Sequence, residues 1–286
     1  MTMPERSARR AARLILAGAL ASTSWASTAT TVIDRCGYEL KTPAEQGRLV
    51  FGRVDPACQV EVSERSLRIS PEGHFAFGIG RDVTGRIAVA VTDSDGRTSV
   101  EPVPVLARRF AIQRIDGVPP AMVEPPPDLA ARITRERAAI AASRVRDDDR
   151  ADFAAPFIWP VRGRISGVYG SQRIFNGVPK SPHLGLDIAA PTGTAIIAPA
   201  PGVVAFTQSD QYLNGGVVVL DHGHGISSTF IHMHRIDVAA GDRLAQGDPV
   251  GQVGATGRTT GPHLHWGLNW FDVQIDPWPL LPPPKR

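Results

Sequence analysis

The chain has 286 residues, 42% hydrophobic and 21% charged, an ordinary globular balance with room for about two domains. Its formal charge of +3 is gathered at one end, because residues 1–26 carry Arg6, Arg9, Arg10 and Arg13 against Glu5. The remainder is near neutral and holds no basic run interleaved with aromatics, which argues against a nucleic-acid partner.

The arginines lead into an apolar run, Leu14 to Ala21, far shorter than the ~20 residues of a bilayer span. Ser24-Trp25-Ala26 is a small-x-small site. Residues 1–26 are therefore expected to be an export signal cut after Ala26, with no stable membrane insertion afterwards. The two cysteines, Cys36 and Cys58, are expected to form one disulfide, the simplest state for a pair in an exported chain.

Residues 27–115 alternate apolar with polar or small residues. Val60 and Val62, Leu67 and Ile69, Phe75, Phe77 and Ile79, and Ile87, Val89 and Val91 carry the pattern. Turn residues separate the runs, as at Pro71-Glu-Gly73 and Asp93-Ser-Asp-Gly96. A small β-sandwich of six or seven strands is expected, without chemistry of its own.

Residues 116–156 read as a connection. Stacked prolines over 116–127 favour an extended spacer. Asp128 is placed to cap a helix over 129–147. Its apolar stripe, Leu129, Ile133 and Ile140, is broken by Glu136. That weak stripe favours a solvated connecting helix, with an arm packed near the next domain's groove as the alternative.

Residues 157–286 carry short strand-like runs with almost no helical period, which predicts an antiparallel β core. The runs are Gly163–Tyr169, Ala195–Ala198, Gly202–Phe206, Gly216–Leu220, Ile226–Met233, Val250–Val253 and His263–Leu268. The proline-rich ending from Asp276 reads as extended, not helical. Seven of the eight histidines fall between His183 and His265. His263 and His265 share one face of a strand, since strand side chains alternate. His183 and Asp187, four apart, also share a face, and Gly185 with Pro182 and Pro191 disfavours a helix there. Two imidazoles and a carboxylate would leave a fourth position open for water, the pattern of a catalytic zinc site. Spacing alone does not say which of His263 and His265 is the ligand. His222, His224 and His234 read as loop histidines, with His222 a candidate for support behind the ligands.

Three runs resemble the signatures of M23 peptidases, the lysostaphin-type zinc endopeptidases that cut peptidoglycan cross-links. They are His183-x-x-x-Asp187, Thr229-Phe-Ile-His232-Met233 and Gly257-Arg-Thr-Thr-Gly-Pro-His-Leu-His265. Ala198-Pro-Ala-Pro-Gly-Val203 and Val238 to Gly247 extend the likeness over about residues 157–277. Met233-His234 and Phe230 depart mildly from the usual pattern. Patterning and resemblance together give a mainly β chain: an N-terminal small β-sandwich, a linker helix, and a C-terminal antiparallel β domain over 157–286, which the resemblance makes a peptidase domain. It implies zinc held by His183, Asp187 and His265, with His232 and His263 as unligated catalytic histidines. Which of these two is the general base stays open at this point. The implied substrate is the stem peptides of peptidoglycan, with D-Ala–diaminopimelate as the bond and the Gram-negative periplasm as the place. The rival is a non-hydrolytic regulator of another cell-wall hydrolase. Such relatives lack ligands, whereas all five residues stand here. The absence of any lysine over 201–270 argues against a carrier module of lipoyl type. A protein regulator is a further possible partner. Asn176 could hold the zinc in a latent state, as an upstream asparagine does in some members, although Asn176-Gly177 is first of all a turn.

Overall fold

The computed structural model describes residues 31–117 and 127–283. The export signal and most of the linker lie outside them. A short helix, α1 (Val32–Arg35), is closed by a capping box in which Thr31 and Asp34 exchange hydrogen bonds. Eight strands follow: β1 (Glu39–Leu40), β2 (Leu49–Arg53), β3 (Gln59–Val62), β4 (Arg65–Ser66), β5 (His74–Gly78), β6 (Arg86–Thr92), β7 (Thr98–Pro104) and β8 (Ile112–Ile115). The first seven form two antiparallel layers, β1-β2-β5 and β4-β3-β6-β7. Val60, Val62, Val89, Val91, Phe75 and Phe77 fill the space between, as their alternation requires. Leu67 to Ser70 is irregular rather than a strand, because β4 ends at Ser66. Cys36 and Cys58 are disulfide-bonded, with Cα atoms 6.0 Å apart. Their loop spans 22 residues, so replacing both cysteines with alanine should cost about 3 kcal/mol in urea unfolding. An unchanged midpoint would show that the bridge is dispensable.

The helix α2 runs Pro127–Ser143. It starts two residues earlier than expected, since proline suits the first helical position, and Asp128 lies in its first turn rather than before it. It stops before Asp147-Asp148-Asp149, a carboxylate run that opposes the negative end of a helix dipole. Glu136, which breaks the stripe, is buried. Its carboxylate accepts from the Tyr212 amide (2.9 Å) and from Arg132 Nε (2.6 Å). Ile140 packs with Val217, Val219, Phe206 and Ile231. The helix is therefore docked on a sheet, not solvated on all sides.

The remaining strands are β9 (Arg164–Gly167), β10 (Gln172–Phe175), β11 (Val178–Pro179), β12 (Leu186–Ala189), β13 (Ala195–Ile197) and β14 (Gly202–Gln211). Then come β15 (Gly215–Asp221), β16 (Ile226–Ile236), β17 (Arg243–Leu244), β18 (Pro249–Val253), β19 (His263–Trp270) and β20 (Val273–Ile275). The main sheet has the order β17-β14-β15-β16-β19-β12-β9, and every pairing in it is antiparallel. β10 lies between β11 and β8, pairing in parallel with the latter. Residues 112–115 thus complete a small sheet with the second half of the chain. The C-terminal segment makes one 3-10 turn, Trp278–Leu280, which two prolines tolerate because they stand at its start. One hydrophobic core runs from Val60 and Phe77 through Phe153 and Phe157 to Trp266 and Ile275. At Gly78 a Cβ would lie 2.7 Å from Ile275 and 2.9 Å from Trp270, so glycine allows β5 to approach β19 and β20. Among the described residues no helix is long and apolar enough to cross a membrane.

Candidate metal centre

The site lies on one face of the main sheet. Asp187 on β12 stands directly opposite His265 on β19, and Ala189 stands opposite His263. Directly paired residues share a face, so Asp187, His265 and His263 project together. Leu264, Trp266 and Leu268 alternate with them and are fully buried on the other side. His183 precedes β12. Its main chain is clamped by Gly170 and Ser171, and its Nδ1 is 3.0 Å from the Val168 carbonyl.

His183 Nε2, Asp187 Oδ1 and His265 Nδ1 meet at one point. The separations are 2.9 Å for His183–Asp187, 2.9 Å for His183–His265 and 2.7 Å for His265–Asp187. A carbonyl only accepts, so Val168 fixes the His183 proton on Nδ1 and leaves a lone pair on Nε2. Lone pairs therefore converge on one point, an arrangement that a cation relieves. This is the one cluster of three such donors found among the described residues. For Asp187, burial alone would raise the pKa, but the His183 and His265 rings beside it outweigh that and hold the carboxyl below its usual range. Burial lowers His265, against the pull of Asp187, so its imidazole is neutral. Both residues are in the protonation state that metal ligands need. Gly185 leaves room, since a Cβ there would sit 2.5 Å from His265 Nε2. Gly185→Ala should weaken metal binding by about 10–100-fold in a competition titration with a chelator. Unchanged affinity would show that the imidazole can shift without loss.

His232 and His263 stand beside the cluster with rings 4.8 Å apart. The Gly261 carbonyl takes the Nδ1 proton of His263 (2.9 Å), with Thr259 Oγ1 at 3.1 Å. Its Nε2 lies 3.8 Å from Asp187 Oδ1. The Thr256 carbonyl likewise takes the Nδ1 proton of His232 (2.8 Å). Burial pushes His232 down to about 4, only partly offset by that carbonyl, so it is neutral near pH 7. Each ring keeps an Nε2 lone pair for proton transfer.

His232 reaches this face through a bulge. Ile231 pairs with His265 and shares its face, so strict alternation would send His232 to the core side. The register with β15 shifts between Gly216 and Val218, and His232 adopts φ +65°. The bulge turns the ring back toward the site. Thr256 holds it there, with Oγ1 bonded to Met233 O (2.8 Å) and to Gly216 N (3.0 Å). Thr259 lies inside the third family motif, but nothing in the sequence signalled Thr256 or Arg173, whose Nη2 lies 3.4 Å from Asp187 Oδ2.

The other histidines divide. His222 is fully buried, and burial pushes it down to about 4. It bonds Pro201 O (2.6 Å) and Ser228 Oγ (2.8 Å), and that oxygen accepts from Trp266 Nε1 (3.0 Å). This is a core network and touches none of the three converging donors. His224 is also buried, in a turn against Phe153, rather than on an open loop. His234 is exposed. Asn176 and Gly177 form the turn between β10 and β11, both with positive φ.

Comparison with known proteins identifies the domain that holds this site. Residues 181–277 match peptidase family M23. These residues carry a peptidase family M23 domain. ShyA of Vibrio cholerae, named a peptidoglycan DD-endopeptidase, is 37% identical over 106 residues, 37% of this chain and 24% of the relative. ShyC of the same organism, named likewise, is 42% identical over 105 residues, 36% of this chain and 24% of the relative. The chain thus spans about a quarter of the length of these curated relatives. A crystal structure described as an M23 peptidase from Pseudomonas aeruginosa is 29% identical. It superposes with a TM-score of 0.66, covering 84% of this chain and 95% of the other. That coverage takes in the N-terminal layers as well as the M23 domain. The cofactor this metallopeptidase family and this donor set require is zinc.

Proposed function

We propose that the protein is a zinc endopeptidase that hydrolyses peptide cross-links of peptidoglycan, at bonds between D-Ala and diaminopimelate. The reading rests on one observation: three donor atoms within 2.7–2.9 Å of each other beside two imidazoles with open Nε2 atoms. His183, Asp187 and His265 would hold the ion. Zinc supplies Lewis acidity and lowers the pKa of bound water to about 7. His263, with its Nδ1 proton fixed on Gly261, takes a proton through Nε2 and returns it to the leaving amine. His232 has the same polarity and stands next to it, so it orients the nucleophile or shares the proton. The alternating face of β19 keeps the site on a rigid strand. Residues 1–26 direct export to the periplasm, 27–115 form an N-terminal domain, 116–156 connect it, and 157–286 form the peptidase domain. Peptidoglycan stem peptides are the substrate, as the names of the Vibrio relatives support.

The test is digestion of purified sacculi by residues 27–286, with muropeptides read by mass. Loss of cross-linked dimers that a zinc chelator abolishes is the expected result. Intact dimers with zinc bound would overturn the hydrolytic reading and favour a regulator.

A further inference from the structure

Arg173 has a place that the hydrolytic residues do not explain. It lies on β10, on the hairpin beside the metal cluster. Among the described residues its guanidinium makes one hydrogen bond, a long one of 3.4 Å from Nη2 to Asp187 Oδ2. Its Nε is buried without a partner. The side chain is still 32% exposed, so a ligand can reach it.

A guanidinium offers five donors in a planar fork suited to a carboxylate. Asp187 cannot be its purpose alone. A positive charge on a metal ligand repels the ion that the ligand must hold, and so weakens binding. With a divalent ion present, the ion and Arg173 together exceed the single charge of Asp187. The site then carries surplus positive charge in a partly buried setting, where an anionic group of the substrate is favoured. Arg258 adds to that field. It stands one residue before Thr259, which touches His263, and its basicity is lowered by burial and then by the neighbouring charges of Arg173 and Arg137.

We propose that Arg173 is a specificity residue that binds a carboxylate on the carbon bearing the scissile nitrogen. The inference rests on the endopeptidase reading and narrows it. A guanidinium in contact with a metal ligand can serve only a group a few bonds from the reacting amide. In a diaminopimelate cross-link, the carbon bearing the acylated nitrogen also carries a free carboxylate. A glycine bridge or a lysine side chain offers none at that place. Arg173 thus selects diaminopimelate cross-links over the other two.

The test uses two synthetic cross-linked peptides, identical except that this carboxylate is a carboxamide in one. Wild type should favour the carboxylate peptide by about 10–100-fold in kcat/KM, the effect of a charge-assisted hydrogen bond. Arg173→Gln should bring the ratio close to one with zinc content retained. Arg173→Lys, which keeps the charge without the fork, should restore part of it. Equal cleavage of both peptides by wild type overturns the assignment without any variant. A ratio unchanged in Arg173→Gln overturns it as well. Cleavage of neither peptide by wild type removes the endopeptidase reading and this inference with it.

Discussion

Alanine at position 183 should release the metal. His183 supplies one of three converging donors, and its Nε2 is within 2.9 Å of both others. Removing it leaves two ligands, Asp187 and His265, on neighbouring strands. Two ligands hold zinc far more weakly than three, and loss of outer partners alone costs about 10–100-fold. Zinc content after dialysis should therefore fall from about one per chain to a small fraction. Hydrolysis of sacculi should fall with it. His234→Ala is the control, because that side chain is exposed and remote in role. Full zinc content in the His183 variant would remove it from the ligand set. The Val168 carbonyl loses one of its two donors in this variant and keeps the Ser171 hydroxyl. Unfolding should therefore be followed alongside zinc, to separate ligand loss from loss of the fold.

The second large effect is the reverse combination. His232→Ala should keep zinc and lose turnover by about 10²–10⁴-fold, the range for removing a general acid or base. The reasoning is positional. His232 contributes no atom to the converging cluster, and its Nδ1 is committed to Thr256. His263→Ala should behave likewise, since its Nδ1 is committed to Gly261. At φ +65° asparagine is better tolerated than alanine, so His232→Asn serves as a second variant with less backbone strain. Kinetics and zinc content measured on the same samples decide the matter. If His232→Ala and His183→Ala lost zinc to the same degree, the division into ligands and proton carriers would fall.

Much of the second half could be read from the sequence because each strand has one buried face. β19 shows why: Leu264, Trp266 and Leu268 face the core while His263 and His265 alternate with them. Asp187 could be placed near that pair through the family motif, and the strand register then put it opposite His265. His232 is different. Alternation gives it the wrong face, and only a bulge, invisible to a period of two, brings it to the site. The parallel pairing of β8 with β10 was hidden for another reason. It joins segments about sixty residues apart, and neither shows a pattern that names its partner. Glu136 misled in the opposite direction. A carboxylate in an apolar stripe suggested a weak helix, yet it anchors α2 through the Tyr212 amide. Arg173 belongs with these cases, because a lone arginine on a short strand has no spacing to betray it.

The two-sided strand β19 has a consequence for how such a chain can change over time. Its first two odd positions, His263 and His265, serve chemistry and its even positions serve packing. Inserting or deleting a single residue between Leu264 and Leu268 would exchange the two sets, sending an indole into the groove and an imidazole among the hydrophobic side chains. Substitutions can be absorbed one at a time, but length cannot. In a library of random one-residue insertions and deletions, surviving clones should carry their scars in the loops on either side of this strand and leave its length alone.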